Sequence, residues 1–535
     1  DGETRGYRGY TASPVETWIA MRPRLLAAAA GGIVTAAAAI SPIVGTAGAA
    51  GAVTTTNGCV TSVPAPGTTT PVQICYSLFQ PPTADASHKT PLIFHSHGWG
   101  GSRTTDPSSS EVKPYLDAGY GVLSFDQRGF GQSNASKAYI ENPDVEGRDV
   151  EQLVDLVSHL NWVIQDGPGD PRIGAVGGSY GGGYQFVGAF REITDTGKQI
   201  FDALAPQITW WDLKQSLAPQ GVAKTEWDSA LTAAGANSLP QDVLTGFAES
   251  AATGTWTDGS IPGTVNLDAF FAKNGPKWQV SQGRHIDVPV LFGQGITDEL
   301  FPLDQGLKNW ANALTPRARE KSIFVGYNGG HVLPNAYPLT VQPSNDPCSA
   351  QLTGGKNFAA LTVMFFDRYL KHETVKLPGL GAYHLATAGS TCTTTSAVTP
   401  NKTVDAGTVV TPELAGPAIA TKIADGPLRI AGTPYLSGTV TAAGVNNRAF
   451  YALGIGTSPA DAKIVQGNMY PWSSQLPVTS AAVKIELPSV AVDVPAGQSL
   501  FIIAAATNDM YFGFGSRTPG AVLIQDAKVA LPLVR

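Results

Sequence analysis

Charge is scarce in this chain of 535 residues. Asp, Glu, Lys and Arg together make up 14%, while Gly and Pro number 60 and 39. That combination describes a sparsely charged, turn-rich surface and excludes a disordered polyelectrolyte. The formal net charge is −7 and no basic stripe occurs, which excludes a nucleic-acid-binding surface. No Lys-Ser or Lys-Thr follows the glycine cluster at 177–182, so that cluster is not a phosphate-binding loop. Metal-ligand spacing is missing, and neither a metal nor a cofactor is expected. There is no internal repeat. Past residue 52 no run is long and apolar enough to cross a bilayer.

What is present begins with a leader. Residues 1–20 hold no apolar segment and are expected to be a non-structural upstream extension. Met21-Arg22-Pro23-Arg24 is basic, and Leu25 to Ile40 is rich in Ala, Leu, Ile and Val. Small-residue cleavage sites follow near Ala49 and Ala52, so residues 21–52 read as a secretory signal peptide. A membrane anchor fits less well, because the run is short and rich in Gly and Ala. With no twin-Arg pair, general secretion to the extracellular space is expected. The cysteine count of four agrees with export. Cys59 and Cys75 flank a hairpin, and Cys348 and Cys392 bracket a late helix, giving the expected pairs Cys59–Cys75 and Cys348–Cys392. Four cysteines allow three connectivities.

The most informative segment is Gly177-Gly178-Ser179-Tyr180-Gly181-Gly182. It follows the apolar run Arg172–Val176, a buried strand by its pattern, and precedes a helical stretch at 183–191. A serine between glycines at a strand-to-helix turn is the nucleophile elbow of an α/β-hydrolase. That fold places an acid and then a histidine downstream. Val288 to Gly293 reads as a strand, and Asp298 follows it just before Pro302. Asp298 is the expected acid, with Glu299 and Asp304 as alternatives. Ser322 to Tyr327 reads as another strand, followed by Asn328-Gly329-Gly330-His331, which nominates His331 as the base. Serine needs such a base, because its hydroxyl is a poor nucleophile at its free pKa.

An oxyanion site needs two N–H donors. The backbone N–H of Tyr180 is one. Leu92–Ser96 followed by His97-Gly98-Trp99-Gly100 suggests the Trp99 N–H as the other. His95 and His97 read as braces for that loop. In Asp126-Gln127-Arg128-Gly129, the Asp and Arg are expected to shape a loop.

These segments imply an α/β class, with an α/β-hydrolase core at 53–375 and a helical cap inserted at about 206–285. Residues 53–90 read as an antiparallel edge hairpin, Val145–Val163 as an amphipathic helix and Gly355–His372 as the last core helix. Trp210, Trp211 and Trp227 in the cap are candidate walls of an apolar substrate pocket. They fit equally well as packing between cap and sheet. Residues 376–426 are expected to be largely a Thr-, Ala- and Pro-rich linker. Short β-branched runs beyond Pro427 complete a C-terminal region, 376–535, containing a β-sandwich.

A hydrolase with a cap and a C-terminal sandwich resembles the cocaine-esterase and X-prolyl dipeptidyl-peptidase family of serine hydrolases. The elbow at 177–182 is similar to that family's G-x-S-Y-x-G, and Leu428 to Gly438 looks like the opening of its jelly roll. The resemblance implies a Ser179, Asp298, His331 triad acting on a small ester, amide or peptide. His97-Gly98-Trp99-Gly100 departs from the family, which commonly uses a tyrosine side chain as an oxyanion donor. X-Pro specificity would require carboxylates for a free amino group, for which Asp212 and Glu226 are candidates. Three readings follow: an esterase or amidase of the cocaine-esterase type, an X-Pro dipeptidyl-peptidase, and a non-catalytic surface- or carbohydrate-binding protein.

Overall fold

The computed structural model describes residues 51–192, 197–331, 346–387, 391–413, 416–511 and 521–534. The leader expected at 21–52 lies outside these residues except for its last two. Ten strands form one sheet: β1 (Thr54–Ser62), β2 (Val72–Gln80), β3 (Leu92–Ser96), β4 (Gly121–Phe125), β5 (Ile173–Gly178), β6 (Ala203–Gln207), β7 (Leu291–Gly295), β8 (Ile323–Tyr327), β9 (Tyr383–Ala386) and β10 (Cys392–Thr395). Their spatial order is β1-β2-β4-β3-β5-β6-β7-β8-β9-β10. From β4 to β9 every neighbour is parallel, while β1, β2 and β10 run antiparallel at the edges. This is an α/β-hydrolase sheet, with the serine-bearing strand β5 near its middle.

Strands β3 to β8 are buried along their whole length, because side chains cover both faces. On one face Phe94 meets Phe201 edge-on at 5.7 Å, and Phe125 meets Tyr184 at 5.0 Å. Tyr184 belongs to α2 (Tyr180–Ala189), every residue of which is buried. On the other face Ile93 and Gly174 meet Phe366 and Leu370, at and beyond the end of α8 (Phe358–Tyr369). Each fully buried Phe of this kind contributes about 1.5–3 kcal/mol.

Several expected boundaries move. Helix α1 covers Glu146–Ser158, burying Val150, Leu153, Val154 and Val157 at helical spacing. It ends five residues before Val163, because the Trp162 carbonyl turns to accept the Thr90 N–H at 3.0 Å. Helix α8 starts at Phe358 rather than Gly355, since the Asn357 side chain caps it by accepting the Ala360 N–H. The larger correction concerns the segment expected to be linker. Residues 383–386 and 392–395 extend the hydrolase sheet by two strands, and Lys402–Thr411 and Ile419–Asp425 are sandwich strands. The edge strand β10 shows no clean alternation of burial, and the disulfide Cys348–Cys392 ties it down. Cys59 and Cys75 lie directly opposite each other in the β1–β2 ladder and are bonded.

Between β6 and β7 lie the helices α3 (Leu213–Leu217), α4 (Thr225–Gly235), α5 (Gln241–Thr253), α6 (Leu267–Phe271) and α7 (Pro276–Ser281). Their apolar faces form a cluster with Tyr180, Leu300 and Phe301 of the core. Beyond residue 400, two antiparallel sheets face each other across Leu436, Val440, Tyr451, Leu453, Ile502 and Ile524. This β-sandwich also contacts the rest of the chain. Lys308 pairs with Glu486 at 2.5 Å, and the Arg448 guanidinium donates to Thr255 Oγ1 at 2.5 Å. No helix among the described residues is long and apolar enough to cross a membrane.

Candidate active site

Ser179 stands between the end of β5 and the start of α2 with φ 56° and ψ −120°. A non-glycine residue rarely holds this backbone, and the elbow tolerates it only because its neighbours are bare. A Cβ on Gly181 would stand 2.4 Å from the Ser96 carbonyl oxygen, and one on Gly177 would stand 2.6 Å from that of Gly181. The Ser179 N–H donates to the Gln207 carbonyl at 2.9 Å, which ties the elbow to β6.

The Ser179 hydroxyl lies 2.9 Å from His331 Nε2, and His331 Nδ1 lies 2.9 Å from Asp298 Oδ2. Asp298 is fully buried, and its other oxygen accepts the N–H groups of Leu300 and Phe301 at 2.9 Å each. A carboxylate so placed accepts from Nδ1–H, which leaves the Nε2 lone pair facing the serine hydroxyl. The rings of Trp227 and Phe301 stand edge-on to the imidazole at 5.5 and 5.3 Å and hold its plane. The structure therefore brings Ser179, His331 and Asp298 together. The alternative acids are engaged elsewhere: Asp304 takes Lys308 at 3.0 Å and the Tyr470 hydroxyl, and the Glu299 carbonyl takes Lys224.

Tyr180 is the first residue of α2, so the helix cannot bond its N–H. The loop 97–100 passes alongside, since a Cβ on Gly98 would touch Ser179 Cβ at 3.8 Å. Among the described residues neither the Tyr180 nor the Trp99 N–H has a partner. His97 holds this loop. Its Nδ1–H donates to the Gly98 carbonyl at 2.8 Å, and its Nε2 accepts the Gln127 N–H at 3.1 Å. Burial pulls both His97 and His95 down to about 4, so they are neutral braces. Asp126 binds the Arg103 side chain and the Gln132 N–H, and Arg128 makes a two-pronged pair with Asp149 at 2.6 and 2.9 Å. Both shape loops, as expected.

A cavity of about 420 Å³ opens at Ser179. Trp99, Ile140, Trp210, Leu231, Phe247 and Leu300 are among its walls, and no charged side chain lines it. Of the three tryptophans expected there, only Trp210 is a wall. Trp227 packs on His331. Trp211 is a correction: it packs into the sheet core, since consecutive residues in extended chain point to opposite sides. Asp212 is turned away, capping α3 and pairing with Lys277 at 2.6 Å, and Glu226 is no part of the lining. The leucines of α3 and α4 in the wall, and Asn468 of the sandwich, escaped sequence reasoning. Asn468 Nδ2 donates to the Asp298 carbonyl at 2.9 Å across 170 residues. The leucines carried a weak signal, their helical spacing. Asn468 carried none.

A serine elbow on the central strand of such a sheet, with a histidine and a buried acid in hydrogen-bond sequence, defines a serine hydrolase of the α/β-hydrolase fold. Residues 70–332 match the family described as X-Pro dipeptidyl-peptidase (S15 family). Through this segment the chain belongs to the serine hydrolases of the cocaine-esterase and X-Pro dipeptidyl-peptidase family. In solved structures the whole architecture recurs. A CocE/NonD family hydrolase from Staphylococcus aureus superposes with TM-score 0.62 at 13% identity, covering 90% of this chain and 93% of that one. An alpha-amino acid ester hydrolase does so with TM-score 0.62 at 13% identity, covering 92% and 98%. At such identities the likeness is one of fold. An uncharacterized 31.7 kDa protein of the traX-finO intergenic region of Escherichia coli is 32% identical over 117 residues, 21% of this chain. The chain spans little more than a third of the length of the curated relatives it matches, 37% and 35%.

Proposed function

We propose that the protein is a secreted ester or amide hydrolase that works through an acyl-enzyme on Ser179 and prefers an apolar acyl group. The observation that carries this reading is the Ser179–His331–Asp298 hydrogen-bond chain at the mouth of an uncharged cavity. His331 Nε2 takes the hydroxyl proton as Ser179 attacks the substrate carbonyl. Charge developing on the carbonyl oxygen is met by the N–H groups of Tyr180 and Trp99, with the N-terminus of α2 behind them. The imidazolium then protonates the leaving alcohol or amine. Water, deprotonated by the same nitrogen, releases the acid and restores the serine. Asp298 keeps the proton on Nδ1 and stabilises the imidazolium. Secretion is supported by the leader-like pattern at 21–52 and by two disulfides.

Release of X-Pro dipeptides is the second reading, favoured by the description of the matching family. A free α-ammonium group needs an anionic partner, and the cavity walls offer none. The purified enzyme assayed on short-chain p-nitrophenyl esters and on an X-Pro-p-nitroanilide, with Ser179→Ala as control, separates the two. Ester turnover lost in the variant supports the first reading. Anilide turnover that requires a free amino terminus replaces it with the second, and ester turnover that survives in the variant overturns the triad.

A further inference from the structure

We propose that Lys224 is a positioning residue for the catalytic acid, an ammonium group of the cap that locks the turn carrying Asp298 and so couples seating of the cap to the activity of His331. The inference rests on the triad reading above.

Lys224 precedes α4 and is fully buried. A lysine held this way is costly unless its charge is used. Its Nζ donates to the Glu299 carbonyl at 2.6 Å and reaches the Leu300 carbonyl at 3.4 Å. Those carbonyls belong to the turn whose N–H groups, from Leu300 and Phe301, hold Asp298 Oδ1. The turn is thus gripped from both sides: its amides hold the carboxylate and its carbonyls hold the ammonium. With Oδ1 held, Oδ2 is left for His331. From the third side, Asn468 Nδ2 binds the Asp298 carbonyl. On the cap itself Trp227, three residues past Lys224, presses on the His331 ring. The segment that supplies the ammonium therefore also supplies a wall of the histidine's seat.

The charges around Lys224 all attract it. Asp298, Glu299 and Asp304 act from the acid turn and the helix after it, Asp228 from its own helix, and the Tyr470 ring of the sandwich faces the ammonium at 6.0 Å. Burial nevertheless outweighs them and draws Lys224 down to about 8. The lock is therefore protonated at neutral pH and loses its charge on the alkaline side, where His331 is already neutral and its own titration makes no limb.

The test compares wild type, Lys224→Met, Lys224→Arg and Ser179→Ala in the full chain on a p-nitrophenyl ester from pH 6 to 10. A misplaced acid of the order of 1 Å costs about 100-fold, so Lys224→Met is expected to lose about 10- to 100-fold in kcat with KM changed less than about twofold. Fluorophosphonate labelling of Ser179 should slow in step. Wild-type kcat should fall through an alkaline limb near pH 8 that is missing from both lysine variants. Lys224→Arg keeps the charge without titrating and should restore most of kcat. Wild-type kcat in Lys224→Met overturns the proposal, as does a limb near pH 8 that persists in either variant. Should Lys224→Met fold poorly, the limb in Lys224→Arg decides alone. Activity surviving in Ser179→Ala would instead remove the triad. An inactive Ser179→Ala beside an unaffected Lys224→Met would remove only the role of Lys224.

Discussion

Gly181→Ala isolates the dependence of the elbow on a bare backbone. The added Cβ would meet the Ser96 carbonyl oxygen at 2.4 Å, the Ser96 carbonyl carbon at 3.1 Å and the His97 carbonyl oxygen at 3.1 Å. All three are main-chain atoms of β3 and the loop beyond it, so no side chain can rotate to make room. A normal contact begins near 3.4 Å, and the loop must move by close to 1 Å. Such overpacking costs typically about 1–3 kcal/mol. The catalytic cost should be larger than the structural one, because the displaced loop carries Trp99. Removing one oxyanion donor lowers kcat by about 100- to 1,000-fold. We expect Gly181→Ala to melt a few degrees lower and to lose at least two orders of magnitude in kcat on a p-nitrophenyl ester. Gly169→Ala is the control for the conformational part alone. It has φ +68° with nothing within 4 Å of the added atom, so it should lose stability but not kcat. A Gly181→Ala enzyme with wild-type kcat would refute the placement of the Trp99 loop against the elbow.

Three other outcomes follow from the same geometry. Asp298→Asn keeps the shape but presents an amide to Nδ1, so kcat should fall by about 10⁴ with KM little changed, as read by steady-state kinetics. Non-reducing peptide mapping should recover Cys59 with Cys75 and Cys348 with Cys392. Loops of 16 and 44 residues correspond to about 3 and 4 kcal/mol in the chain-entropy account, so Cys392→Ser should cost more in denaturant unfolding than Cys59→Ser. His95 and His97, drawn down to about 4 from 6.5, make stability fall as the pH drops from 6.5 toward 4. The unfolded chain binds those protons first, and the loss approaches about 3 kcal/mol per histidine. His97→Asn should flatten that slope, and a slope unchanged in the variant would contradict the buried neutral ring.

The members of the site that were legible in the chain are those whose neighbours in sequence are constrained too. Ser179 is flanked by glycines because the elbow has no room for side chains. Asp298 and His331 each end a buried strand, and buried strands are visible as apolar runs. The cap pocket was legible only in part. Trp210 and Trp211 are adjacent, and which of them faces the cavity depends on how the chain leaves β6. Ile140, a cavity wall at φ 59°, sits in a segment with no motif at all. The strands at 383–386 and 392–395 were hidden because Thr-rich edge strands have little burial contrast. What holds them is an existing sheet edge and a disulfide partner 44 residues away.

By itself, then, the amino-acid sequence determined the class of chemistry, the order of nucleophile, acid and base, the parallel core and the separate sandwich. These follow from local rules: side-chain size at a strained turn, apolar period, and turn residues between strands. Only the tertiary structure decided that the pocket is uncharged, that Asp212 is spent on Lys277, and that the acid turn is gripped by Lys224 and Asn468. Those contacts join residues 65 to 170 positions apart. A polar side chain in a sequence carries no mark of the backbone carbonyl it will meet, because that partner exists only once the cap and the sandwich have closed on the core.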